Sequence, residues 1–250
     1  MLLIPSVRPL FRHHLTKRFF KRSIPHGARV YDVGCGRGDF IFWLAQRGYE
    51  AHGFEFSPQA IKRFKALRAY YKIHNARLHE LDFFEHTPER ADVITCFEVL
   101  EHLEDDTRAV RLMREWLRDD GYLVITVPAH MRLWGRDDEV YGHVRRYERK
   151  KLRNLLESNG FVIYRFASYG YPWLNILKKI RELHMKIRPP KFVDQHSQQM
   201  RTQRSGVGFF KSKFLGLFLN PLTFYPLILF SNLFNRTDIS EGYFVVARKC

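Results

Sequence analysis

The chain has 250 residues, 45% of them hydrophobic or aromatic and 27% charged, with a formal net charge of +16 at pH 7. This length and composition suit one α/β domain, or one domain with a sizeable insertion, and they exclude intrinsic disorder. Cys35, Cys96 and Cys250 are scattered without Cys-x-x-Cys spacing, which suggests neither a disulfide framework nor a zinc site and fits a reducing, cytoplasmic compartment.

Residues 1–29 hold seven Lys/Arg and no Asp/Glu. Across 13–22, Leu15, Phe19 and Phe20 recur at helical spacing among basic residues, which predicts a basic helix leading into the first strand. The same acid-free composition also resembles an organellar presequence, whereas the apolar start at 1–4 is too short for a secretory signal. Strand and helix then alternate, the pattern of a parallel sheet covered on both faces. Strands are predicted at 28–33, 49–56, 77–81, 91–97 and 121–127. Helices are predicted at 40–46, stopped by Gly48; at 59–74, opened by Ser57-Pro58; at 105–118; and at 148–158, stopped by Asn159-Gly160. Two late strands, 161–167 and 242–249, are separated by about 75 residues, far beyond hairpin length, so the segment between them is an insertion. The expected organisation is a basic helical arm at 1–27, a core of 28–167 plus 241–250, and an insertion at 168–240.

The insertion opens with a second basic block at 178–213, ten Lys/Arg against Glu182 and Asp194, and continues with 214–235, which has no charged residue. That apolar run has the length of a membrane span, but Pro221, Pro226 and several polar residues weaken the reading, and a return to the same sheet excludes one complete crossing. Two readings stand: a cap over a partly apolar substrate, or a segment dipping into one leaflet while the basic blocks meet anionic lipid.

The first strand runs into Asp32-Val33-Gly34-Cys35-Gly36-Arg37-Gly38 and a helix, where glycines let the backbone turn tightly and approach a ligand. The dinucleotide fingerprint fits poorly: the third glycine, Gly38, comes one residue early, and Asp39 stands where that pattern requires glycine. A ligand without a pyrophosphate is favoured. Glu55, 17 residues after Gly38, can accept both hydroxyl protons of a ribose. Asp82 follows the third strand, placed to accept an adenine amino group, with Phe83 beside it to cover the ring.

This loop, the segment His52-Gly53-Phe54-Glu55-Phe56-Ser57-Pro58 and the segment from Ala91 to Leu103 together resemble class I S-adenosylmethionine-dependent methyltransferases, particularly the quinone-pathway O-methyltransferase type. The resemblance implies a Rossmann-like, doubly wound seven-stranded sheet, mostly parallel with an antiparallel last strand, and a helical insertion between the last two strands. It implies S-adenosylmethionine as cofactor, held by Asp32, Gly34, Cys35, Gly36, Gly38, Glu55, Phe56, Asp82, Phe83 and Phe97, with Cys35 filling a small-residue slot and Arg37 facing solvent.

Methyl transfer from a sulfonium is a direct displacement that depends on positioning and desolvation, so no obligatory nucleophile motif is expected. A base is needed only for an acceptor that must lose a proton. His143, and secondarily His130, are the candidate bases, in the polar segment 129–147 where the carboxyl edge of a parallel sheet forms its crevice. Gly142-His143-Val144-Arg145-Arg146-Tyr147 resembles a segment of methyltransferases of bacterial envelope and glycan pathways. Trp134, Arg145, Arg146 and Tyr147 are candidate substrate contacts; pairing of Arg145 and Arg146 with carboxylates to pin the loop is the alternative. Glu98, Glu101 and His102 share a face if their segment is helical. Glu98 and His102 are therefore further catalytic candidates, and the three could hold a divalent metal, as the resemblance allows, although none is required. Alternatively, Glu101 and His102 stabilise the helix start.

The expected substrate is a small or lipid-linked acceptor, a quinone precursor or glycan intermediate, and the expected setting is cytoplasmic with peripheral contact to an anionic membrane. The basic flanks also admit an RNA methyltransferase or nucleic-acid-binding module. Against that, the fourth strand ends Cys96-Phe97-Glu98-Val99, without the Asn/Asp-Pro-Pro-Tyr/Phe type of motif, and no RNA-binding module is appended.

Overall fold

In the computed structural model, which describes residues 7–86, 88–187 and 221–250, seven strands form one sheet in the order β3-β2-β1-β4-β5-β7-β6. They are β1 (Arg29–Val33), β2 (Glu50–Phe54), β3 (Ala76–His79), β4 (Ala91–Phe97), β5 (Leu117–Pro128), β6 (Phe161–Tyr169) and β7 (Gly242–Lys249). The first five pair in parallel, and β7 enters antiparallel between β5 and β6. This is the expected doubly wound sheet with an antiparallel last strand. The chain reverses direction across the sheet between β1 and β4, so the carboxyl ends of those strands open a crevice for a ligand.

Both faces are covered because β4 and the inner half of β5 are apolar on both sides, the composition of strands buried between layers. One face carries α1 (Val7–Ser23) and α2 (Asp39–Ala45), whose Phe11, Leu15, Phe20, Phe40 and Leu44 are buried together. The other carries α4 (Asp106–Trp116) and α6 (Arg149–Glu157), with Met113, Trp116, Leu152 and Leu156 in the core. α3 (Pro58–Tyr70) lies beside α2, its Phe64 ring 4.8 Å from that of Phe42. Three further helices, α5 (Arg136–Tyr141), α7 (Trp173–Ile187) and α8 (Pro221–Asn232), gather beyond the carboxyl edge and around β6.

Several ends differ from the sequence expectation for identifiable reasons. α3 stops four residues before 74 because Lys72 turns left-handed at φ 53° and Ile73 N–H closes back on the Arg68 carbonyl. α4 stops at Trp116 because Leu117 extends to pair with Ala91, and Lys249 Nζ donates to the Leu117 carbonyl. β2 ends at Phe54, leaving Glu55 to turn into the loop above the sheet. At the amino end, α1 reaches back to Val7 and is packed into the shared core rather than standing apart from it. Most of the basic block at 178–213, and the start of the apolar run at 214–235, lie outside the described residues. Among the described residues no helix is long and apolar enough to cross a membrane.

Phe20 is fully buried, with its ring edge-on to Phe40, Trp43 and Tyr49. Phe20→Ala is expected to lower the unfolding free energy by about 3–5 kcal/mol in denaturant titration. A loss below about 1 kcal/mol would show that α1 is not part of the core.

Candidate active site

The loop after β1 owes its shape to glycines. Gly34 has φ 69°, and a Cβ there would sit 2.5 Å from Val99 Cγ2, so the position admits no side chain. Gly36 has φ 57°, and a Cβ there would meet nothing within 4 Å. The loop is therefore packed from below and open above. Cys35 fills the slot left by Gly53, whose Cβ would fall 2.5 Å from Cys35 Sγ, which agrees with a packing role. Burial and the nearby Asp32 and Glu55 raise the Cys35 thiol well above its usual range, so it is not a ready nucleophile.

Glu55 holds the loop to β2. Its Oε2 accepts from Gly36 N–H at 2.9 Å, and its Oε1 accepts from Phe56 N–H at 3.0 Å and Ser57 N–H at 2.8 Å. Burial raises its pKa while these three amides pull it down. A carboxylate offers about four acceptor positions. One hydroxyl can therefore be accepted as the site stands, and a second requires one backbone partner to be released. Phe56 is half-buried beside it.

Asp32, at the end of β1, accepts from Thr95 Oγ1 at 2.6 Å and is pushed up to about 7, chiefly by burial. Asp82 caps the short turn after β3, accepting from Phe84 N–H at 3.1 Å. Phe83 points into the core, 8% exposed and edge-on to Trp116, while Phe84 is the half-buried neighbour. Phe97 is buried beneath α1, with the His13 ring 6.0 Å away and the Arg12 guanidinium 5.2 Å above it.

The contribution of α1 is absent from the sequence expectation. Arg8 bridges the carboxylates of Glu98 and Glu241, and Arg12 presents near Asp32 and Glu98 a buried Nε with no hydrogen-bond partner among the described residues. His13 is kept neutral by burial and by Arg12, Lys17 and Arg37. The available signal was the four-residue spacing of Arg8 and Arg12, each three residues before an apolar residue of the buried stripe, Phe11 and Leu15. Two cations on the edge of a core-facing stripe require carboxylates to meet them.

Glu98 is consequently a tied residue. Burial would raise its carboxyl, but Arg8 and Arg12, with a 2.9 Å hydrogen bond from Tyr169 Oη, hold it down at about 2. Its backbone is left-handed, φ 57°, so it does not share a regular helical face with Glu101 and His102. Glu101 is fully buried, both of its carboxylate oxygens lack a hydrogen-bond partner among the described residues, and burial and the neighbouring Glu98 raise its pKa well above normal. The third member beside Glu101 and His102 is His143: ligand atoms of these three lie within 4.8 Å of one another. The orphaned carboxyl and two imidazoles form a donor set that fits a divalent cation.

His143 is oriented from behind. Its Nδ1 lies 2.7 Å from Asp138 Oδ1, and its Nε2 lies 4.0 Å from Glu101 Oε1. Despite its burial, Asp138 stays ionised well below the usual carboxylate range, held there by His143, Arg146 and Lys178. An ionised carboxylate only accepts, so Nδ1 is the donor in this contact and Nε2 is the ring nitrogen turned away from Asp138. His130, the other candidate base, is 4% exposed and engaged by Glu148 at 3.3 Å and Tyr243 Oη at 3.4 Å.

Three of the candidate substrate contacts are spent within the protein. Arg145 donates to Asp106 and to the carbonyls of Leu103 and Glu104, and Arg146 is buried against Asp138 and the Ala129 carbonyl. Tyr147 Oη donates to Asp106 Oδ2 at 2.7 Å. The loop-pinning alternative describes Arg145 and Arg146. Trp134 differs: it lines a cavity of about 360 Å³, with Arg132, Lys179 and Leu183, between the 131–135 turn and α7.

The chain matches the family described as methyltransferase domain over residues 8–165. It is 29% identical over 102 residues to a ubiquinone biosynthesis O-methyltransferase of Aeromonas salmonicida, covering 40% of this chain and 43% of that protein. A protein of the same description from Pseudomonas syringae pv. tomato is 31% identical over 97 residues, covering 38% of this chain and 42% of its own length. The chain thus spans about two fifths of the length of these relatives. Among solved structures, coclaurine N-methyltransferase with N-methylheliamine and SAH has a TM-score of 0.60 at 16% identity, covering 95% of this chain and 72% of that one. The [4+2]-cyclase SpnF has a TM-score of 0.61 at 18% identity, covering 94% and 80%. These likenesses show the fold, and the cyclase shows that the fold alone does not fix the reaction.

Because its folded-state pKa lies above the ordinary 3.8, Asp32 keeps a proton that the unfolded chain releases, so its contribution to stability falls as pH rises from about 4 to about 7. Asp32→Asn is expected to flatten the slope of Tm against pH across that window. An unchanged slope would place the titration elsewhere.

Proposed function

The chain belongs to the methyltransferase-domain family, and on that premise we propose that it transfers a methyl group from S-adenosylmethionine to the oxygen of a small or lipid-linked acceptor, such as a quinone precursor or a glycan intermediate. The observation that carries the proposal is the pairing of an open glycine loop after β1 with the Glu55 carboxylate at the end of β2; His143, oriented by Asp138, supplies the base. When bound, the cofactor supplies a sulfonium methyl group, and its sulfur leaves as a neutral thioether.

In this reading, Gly36 lets the ligand approach the backbone of a loop that Gly34 and Gly38 allow to close on Val99 and Phe64, and the remaining acceptor position on Glu55 takes a ribose hydroxyl. Arg12, its guanidinium above Phe97 and its Nε without a partner among the described residues, takes the carboxylate of the amino-acid portion. Asp82 with Phe84, rather than Phe83, stands at the adenine end. His143 Nε2 removes the acceptor hydroxyl proton as its oxygen bonds the methyl carbon, and Asp138 stabilises the imidazolium that forms. α1 and the 129–147 segment exclude water around the displacement. Unpaired Cys35, Cys96 and Cys250 suit a cytoplasmic setting.

A second reading rests on the Glu101, His102 and His143 cluster. A divalent cation held there would occupy His143 and lower the pKa of the acceptor hydroxyl instead.

Methyl-label transfer into fractionated cell extract tests both readings. Label is expected in a non-nucleic-acid fraction, and label confined to RNA would contradict the proposal. His143→Ala is expected to reduce transfer about 10²–10⁴-fold while leaving S-adenosylhomocysteine affinity unchanged. Full activity in chelator supports His143 as base; loss of activity restored by a divalent cation supports the second reading.

A further inference from the structure

We propose that the outward faces of α7 and α8, with the cations on either side, form a docking surface for an anionic lipid bilayer. α7 has two apolar faces. Leu174 and Met185 point into the protein, where Lys178 is buried against Asp137 and Asp138, while Ile176, Ile180, Leu183 and Ile187 point outward and are 46–70% exposed. Their spacings of four, three and four put them in one stripe along a helix of about 22 Å. A helix whose inner face is already packed has no structural use for a second apolar stripe.

The stripe continues onto α8. Trp173 at the start of α7 donates from Nε1 to the Leu227 carbonyl at 3.1 Å, and its ring lies 6.1 Å from Phe230. Phe230, Leu229 and Leu233 are themselves 45–73% exposed.

Cations border this apolar area on both sides. On the α7 side, Lys179, Lys186 and Arg132 flank the cavity beside Trp134, and none of them forms an ion pair among the described residues. On the other, α8 meets α1 through His14, whose ring is 5.8 Å from Tyr225. Beside His14 stand Arg18 and Arg165, and Arg22 adjoins Arg165; the three arginines likewise have no carboxylate partner among the described residues. Arg165 is lowered by burial and by Arg18 and Arg22, the mark of like charges held together.

An apolar strip between two cationic margins is complementary to acyl chains beneath anionic headgroups. A second copy would oppose cations to cations on a chain whose formal charge is +16. Nucleic acid would leave the isoleucines and leucines facing a polar, charged partner. The inference goes beyond the methyl-transfer reading and does not depend on it.

The test is co-sedimentation of the full chain with vesicles of phosphatidylcholine alone and of phosphatidylcholine mixed with phosphatidylglycerol. Binding to the anionic vesicles only is expected, weakening with salt. Arg18→Glu with Arg22→Glu is expected to lower the bound-to-free ratio more than tenfold, at about fivefold per cation. Ile180→Glu with Leu183→Glu is expected to lower it at least tenfold even at low salt, with circular dichroism and Tm reporting that each variant is folded. Equal binding to neutral vesicles, no binding, or wild-type binding by either folded variant would overturn the proposal. So would a dimer in light scattering that the Ile180/Leu183 pair dissolves, or single-stranded RNA binding tighter than that of the anionic vesicles.

Discussion

The Glu55 carboxylate, drawn out of solvent to gather three backbone amides, is the interaction on which the rest of the site depends. By accepting from Gly36, Phe56 and Ser57 it fastens the glycine loop of β1 to the end of β2 and opens the amino end of α3. Without it the crest of the sheet would be two separate loops. The same residue keeps one acceptor position that these amides do not use, so the group that shapes the loop is also the one proposed to read a ribose.

A second constraint is a buried charge network at the carboxyl edge. Arg8 ties α1 to Glu98 and Glu241; Arg146 and Lys178 meet on Asp138; Arg181 of α7 reaches Asp137. Five segments remote in sequence are held together by these buried ion pairs, whose desolvation is offset because each of the paired charges meets an opposite one. The network also orients His143, whose Nδ1 lies 2.7 Å from Asp138 Oδ1. Glu101, at the inner end of the network, accepts no hydrogen bond on either oxygen among the described residues, which makes it the place where a proton or a cation would be most at home.

The sheet was legible because its strands are apolar on both faces and are punctuated by glycine and proline, and the loop at Asp32, Gly34, Gly36 and Gly38 because only glycine tolerates that backbone. The structural pairing of Arg145 and Arg146 was also within reach, since a polar segment at the carboxyl edge needs its charges satisfied. What was not legible depends on tertiary partners. Nothing local in the sequence says that Glu98 is bound by an arginine 90 residues earlier, that Phe83 turns inward, or that His143 replaces Glu98 beside Glu101 and His102. The regular-helix assumption failed at Glu98 because its φ is positive.

The central claim is that this crevice binds a nucleoside-bearing methyl donor through Glu55. Isothermal titration of S-adenosylhomocysteine into the full chain and into Glu55→Gln tests it most directly. The account predicts saturable binding at one site, weakened at least about tenfold in the variant, the effect of about 1.4 kcal/mol from one lost charge-assisted hydrogen bond. No binding to the wild type, or equal affinity in the variant, would contradict it.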